Sequence, residues 1–164
     1  MYRSKRGQAS SVFIYVITLV IVAMVLVFGY KAIAKVIQTS DKATMAKFQN
    51  ELRKAIDSGS SYGKISTENF ETPVEYKSIC FVTENAANDI NFERAYPLGA
   101  EVASSEDNAF LYNGKTVLPF KVDPFEIDEG SEGAFSNNAL CANISNGRFS
   151  LRLEGLGDRT LIGS

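Results

Sequence analysis

Val12–Tyr30 reads VFIYVITLVIVAMVLVFGY, nineteen consecutive residues without a charge. As a helix rising 1.5 Å per residue it spans about 28 Å, close to the roughly 30 Å hydrocarbon core of a bilayer. A water-soluble fold has no use for such a run, and a membrane does. The expected organisation follows outward from it. Residues 1–11 are a basic leader, 12–30 a transmembrane helix, 31–57 an amphipathic helix, and 58–164 a β-rich domain outside the cytoplasm. A cleaved secretory signal is the competing reading. Such signals carry a shorter apolar region and a small-residue cleavage site, whereas here Lys31-Ala32-Ile33-Ala34-Lys35 follows the run.

The flanks orient the chain weakly. Arg3, Lys5 and Arg6 precede the span, and Lys31, Lys35 and Lys42 follow it, so the positive-inside count is nearly balanced. Two other features favour a cytoplasmic N-terminus with the domain outside. Cys80 and Cys141 suit an oxidising compartment, where a bridge between them is expected against the alternative of two independent thiols. Asn143-Ile144-Ser145 is a glycosylation sequon, which makes Asn143 a candidate acceptor only outside the cell.

Past Tyr30, Ile33, Ile37, Met45, Phe48, Leu52 and Ile56 form one stripe of a 3.6-period helix. Thr39-Ser40-Asp41 offers a cap at which that helix could break. Asp57-Ser58-Gly59-Ser60-Ser61 ends the pattern with turn chemistry. The stripe lacks a sustained heptad, so packing against the chain's own domain is preferred over a coiled coil.

Beyond Gly59 the texture is that of strands. Val74–Thr83 is rich in β-formers. Asn113-Gly114 predicts a two-residue hairpin between 110–112 and 115–122, with Pro119 confining the second strand to an edge. Asn146-Gly147 predicts another, pairing Ile144 with Phe149, Ala142 with Leu151 and Leu140 with Leu153, with Cys141 on the wet face. Segments 85–108 and 126–138 read as long loops, with Ile90, Phe92 and Leu98 as anchors in the first. The expected fold class is α+β: a long helix packed on a small antiparallel sheet.

Chemistry-bearing motifs are scarce. The net charge is −2 and histidine is absent, which removes the commonest general base and transition-metal ligand. No phosphate loop, CxxC pair or basic stripe is present, so no catalytic residue, cofactor, bound metal or nucleic-acid partner is expected. Asp123, Glu126, Asp128, Glu129 and Glu132 form an acidic run that lacks EF-hand spacing; a solvated loop is preferred over a calcium site. Glu68 and Glu71 are a carboxylate pair with no geometric signal of catalysis.

Gly7-Gln8-Ala9-Ser10-Ser11, after Lys5-Arg6, resembles the class III signal peptides of archaeal type IV pilin-like proteins. The resemblance implies cleavage between Gly7 and Gln8 by a prepilin-type peptidase on the cytoplasmic side, with the apolar helix retained. The family pattern is Gln-x-Ser-x-Glu after the cut. Gln8 and Ser10 match, and Val12 stands where the glutamate would be. In pilins that acid is thought to pair with the new amine of a neighbouring subunit. The start at 7–15 and the Leu151–Gly155 stretch also resemble small single-span archaeal envelope proteins. The implied function is a pilin or pseudopilin-like envelope subunit, with membrane lipid and copies of itself as partners. The alternative is a permanent single-pass anchor presenting a binding domain without polymerising.

Overall fold

A computed structural model describes residues 7–73, 75–136 and 138–164. The chain divides into two units, one ending at Lys42 and one comprising Ala43–Ser164. A single helix, α1, runs Gly7–Gly59 and contributes to both. It continues through Thr39–Asp41 without a break.

In the first unit α1 is bare. Large apolar residues from Val12 to Ile37 are exposed. Many are β-branched, which disfavours helix in water. In lipid the helix is retained, because a backbone without water must satisfy its polar groups internally. Thr18 obeys the same rule: its hydroxyl donates to the Ile14 carbonyl at 2.8 Å.

In the second unit the remaining turns of α1 lie within a β-rich domain. The strands are β1 (Ile65–Glu71), β2 (Ser78–Val82), β3 (Ala109–Tyr112), β4 (Val117–Phe120), β5 (Phe125–Ile127), β6 (Ala134–Phe135), β7 (Ala139–Asn143), β8 (Arg148–Gly155) and β9 (Thr160–Gly163). They form two sheets rather than the one expected, ordered β1-β8-β9-β5 and β4-β3-β2-β7-β6. All pairings are antiparallel except β5 with β9. Phe48, Leu52 and Ile56 of α1 share one core with Phe70, Leu151 and Leu153 of the first sheet and Ile79, Leu111 and Leu140 of the second. The helical stripe from Met45 onward is therefore packed as its period predicts.

The end of α1 is closed by the last strand. Thr160 donates its buried hydroxyl to the Ile56 carbonyl at 2.6 Å, satisfying one of the carbonyls a helix terminus leaves open. Beside it, Gly155 must lack a side chain, because a Cβ there would overlap the Ser61 carbonyl.

The Asn146-Gly147 turn forms as expected. Asn146 and Gly147 take φ of 51° and 71°, and Ser145 and Arg148 exchange both backbone bonds at 2.9 and 3.0 Å. The hairpin beyond it does not form. β8 pairs with β1, so Phe149 faces Phe70, while β7 pairs with β2, so Ala142 faces Ile79 and Leu140 faces Phe81. The strands part because their burial demands differ. β8 alternates, with Phe149, Leu151 and Leu153 inward and Arg148, Ser150 and Arg152 outward. In β7 Ala139, Leu140, Cys141 and Ala142 are all buried, a pattern that suits a strand inside a sheet covered on both faces. Cys141 is thus buried rather than on a wet face.

The cover over that second face is the segment expected to be loop. A short 3-10 helix (Glu84–Asn88), α2 (Ile90–Ala95) and α3 (Pro97–Ala103) occupy it. Phe92, Val102, Phe110, Cys80 and Cys141 form a second core beneath them. Of the three expected anchors only Phe92 is buried; Ile90 and Leu98 are exposed. In the Asn113 loop, Tyr112 opposes Val117, which leaves four residues rather than two. The Asn113 side chain explains the extra length by accepting from the amides of Lys115 and Thr116 at 3.0 and 2.9 Å. Pro119 does lie on an edge strand, β4.

Candidate functional site

The region best fitted to a function is the bare part of α1. Among the described residues it is the one helix long and apolar enough to cross a membrane, and none of its most apolar window is buried by the rest of the chain. Gly7 and Gln8 lie in its first turn. Arg3, Lys5 and Arg6 lie outside the described residues. Val12, where the resemblance implied a glutamate, is 62% exposed. An apolar side chain there can pack against lipid or another helix, but it cannot pair with an amine.

The remaining candidate residues are spread over the second unit. Cys80 and Cys141 are joined by a disulfide. They are directly opposed in β2 and β7, with Cα atoms 4.1 Å apart. The Cys141 amide points the other way, donating to the Gly133 carbonyl at 2.9 Å. The cysteines therefore form a non-hydrogen-bonded pair, the register position at which opposed side chains approach closest. Gly133 takes φ of 81°, and a Cβ there would overlap the Cys141 carbonyl.

Asn143 is exposed at the end of β7, and Ser145 opens the tight turn that follows. The sequon thus sits on an accessible strand end.

The acidic run is divided among other contacts. Glu126 pairs with Arg159 at 2.9 Å, and Asp128 lies 3.6 Å from Arg152 while accepting from the Gly130 amide at 3.1 Å. Among the described residues no three His, Cys, Asp or Glu side chains gather into a group able to hold a metal ion. Glu71 is held by Arg148 at 2.7 Å. Asp158 is kept below the usual carboxylate range, chiefly by its hydrogen bond to Arg159. Burial, with Glu75 adding to it, raises the Tyr76 hydroxyl.

Open clefts mark the domain surface, and two of them are the larger among those lined by described residues. One of about 790 Å³ lies between α1 and the β1–β8 pair, floored by Phe48, Phe70 and Phe149. Its rim charges, Lys47 with Glu51 and Arg148 with Glu71, are already matched. Another, about 890 Å³, is lined by Glu84, Glu106 and Asp107 together with Lys121 and Arg159.

The sequence reading missed the helical cover at 84–103, although its signals are present. Asp89 caps α2 by accepting from the amides of Asn91 and Phe92 at 2.9 and 3.2 Å, and Pro97 opens α3. Both helices are too short for a periodic apolar pattern to register.

No family model, curated protein or solved structure matches this chain. What it does must be argued from its own residues.

Proposed function

We propose that the chain is a pilin or pseudopilin-like structural subunit of the cell envelope, held in the membrane by α1. The observation that carries the reading is the dual use of that helix. One unbroken element, Gly7–Gly59, supplies both a bare apolar stretch of spanning length and the buried stripe Phe48-Leu52-Ile56 of the domain core. A permanent anchor requires only a tether between span and domain.

In this reading the first residues are cytoplasmic and the domain lies outside, where the Cys80–Cys141 bridge persists and Asn143 can accept a glycan. Arg3, Lys5 and Arg6 hold the leader at the cytoplasmic face, because charge is costly in hydrocarbon. A prepilin-type peptidase adds water across the Gly7–Gln8 bond, leaving a carboxylate on Gly7 and a free amine on Gln8. The mature helix then begins without charged side chains and can leave lipid to pack against copies of itself.

Val12 favours the second reading, a permanent single-pass anchor, because assembly would have to rest on packing alone. The mass of the native protein separates the two. A subunit yields a mature chain beginning at Gln8, and Gly7→Asp retains the leader. A wild-type chain that keeps residues 1–7 in its own cells is a permanent anchor.

A further inference from the structure

Charge is unevenly divided along the chain. Residues 31–42 carry Lys31, Lys35 and Lys42 against Asp41 alone. The three lysines are exposed and form no ion pair among the described residues. At about 100° per residue they fall within roughly 40° of one another on α1, opposite Ile33, Val36 and Ile37. They make a narrow basic stripe just beyond the apolar span.

The complement lies in the cover over the five-stranded sheet. Residues 84–107 carry Glu84, Asp89, Glu93, Glu101, Glu106 and Asp107 against Arg94 alone. Asp89 is used in capping α2. Glu84, Glu93, Glu101 and Glu106 are exposed and form no ion pair among the described residues. The surface is not purely polar. Ile90 and Glu93 share a face of α2, and Leu98 and Glu101 share a face of α3, each at i, i+3 spacing. Ile90 is 70% exposed and Leu98 37%.

We infer that the lysine stripe of residues 31–42 docks onto the α2–α3 surface of a second copy of this chain, an inference that rests on the subunit reading above. The lysine ammonium groups meet Glu93 and Glu101, and their methylene stems lie over Ile90 and Leu98. Anionic lipid is the competing partner, and geometry decides against it. Lys31 to Lys42 extends about 16 Å along the helix, whereas a headgroup layer is only about 5–8 Å deep. Lipid phosphates can reach Lys31 and Lys35 beside the span, but not Lys42.

The test uses the full chain reconstituted in vesicles from an equal mixture of ordinary and ¹⁵N-labelled protein, treated with a carbodiimide that joins a lysine amine to a carboxylate. Links between Lys31, Lys35 or Lys42 and Glu93 or Glu101 are expected in mixed-isotope pairs. Lys31→Glu/Lys35→Glu/Lys42→Glu lacks the three reacting amines and by itself should give none of these links whatever the docking, so the charge-swapped mixture is the deciding measurement. The reversed partner, Glu93→Lys/Glu101→Lys, mixed with that variant should restore links of opposite polarity. An intact Cys80–Cys141 bridge in each variant confirms the fold. Links confined to single-isotope species, or no recovery on charge reversal, overturn the docking. Mixed-isotope links support the docking whichever N-terminus the reconstituted chain carries, and processing is read separately from the mass of the native protein in its own cells, so the two failures are distinguishable.

Discussion

Phe28 and Phe48 belong to the same helix and meet opposite surroundings. Phe28 is 69% exposed, and Phe48 is 1% exposed, with the rings of Phe120 and Phe149 each 6.1 Å away edge-on. Around Phe48 the chain supplies its own apolar solvent, the inner faces of two sheets. Around Phe28 it supplies none. α1 is packed by the chain itself in its last turns, and in the membrane reading proposed above an apolar medium outside the chain takes that part in its first. A change of one side chain should therefore act on different observables at the two ends.

The largest effect tests that directly. Phe48→Ala should lower the stability of the domain by about 3–5 kcal/mol, the usual cost of emptying a buried aromatic site. Phe28→Ala should leave it unchanged within about 0.5 kcal/mol. Urea unfolding of the detergent-solubilised chain, followed by the near-ultraviolet signal of the aromatic core, reads both. Equal destabilisation by the two variants would break the comparison.

The disulfide sharpens it. Cys80 and Cys141 are 61 residues apart, and closing a loop of that length stabilises by about 4 kcal/mol on the chain-entropy model. Cys80→Ser/Cys141→Ser should lose about that much domain stability in the same urea assay and leave membrane retention after alkaline extraction as in wild type. Extraction of the variant from the membrane would mean that the span depends on the domain for its stability.

How legible each part was follows from the same contrast. The span and the Met45–Ile56 stripe were readable because long helices repeat one burial demand many times. The Asn146-Gly147 turn was readable because positive φ at both positions needs those residue types. The partner of each strand was not. Leu140, Ala142, Phe149 and Leu151 state that they are buried, but not against which strand, and a tight turn joins neighbours without obliging them to stay paired. β7 revealed its place only through Ala139 and Cys141, small side chains whose burial depends on the helical cover at 84–103. The candidate site was legible as a helix long and apolar enough to cross a membrane. The charge match between residues 31–42 and the cover appeared only once the cover was seen to be helical, which places Ile90 with Glu93 and Leu98 with Glu101.

The smallest expected effect lies where α1 ends. Thr160 holds the Ile56 carbonyl in the interior, and its neighbour Arg159 holds Asp158 at 2.7 Å and Glu126 at 2.9 Å on the surface. The first contact involves no titratable group and should be indifferent to pH. The second should not. The Arg159 hydrogen bond, its largest cause, depresses the Asp158 carboxyl in the folded chain. A depressed acid contributes stability that is present above its unfolded pKa, about 3.9, and lost as pH falls through the folded value. Asp158 is fully exposed, so water and salt screen the pair and the contribution is small. Asp158→Asn should therefore melt slightly below wild type at pH 7, with the two curves converging as pH is lowered past 4 and as salt is raised. Thr160→Val, which removes the buried hydroxyl but keeps its shape, should melt below wild type by the same margin at every pH where the domain remains folded. Should Asp158→Asn stay parallel to wild type through the acid range, the Arg159–Asp158 contact contributes nothing to folding.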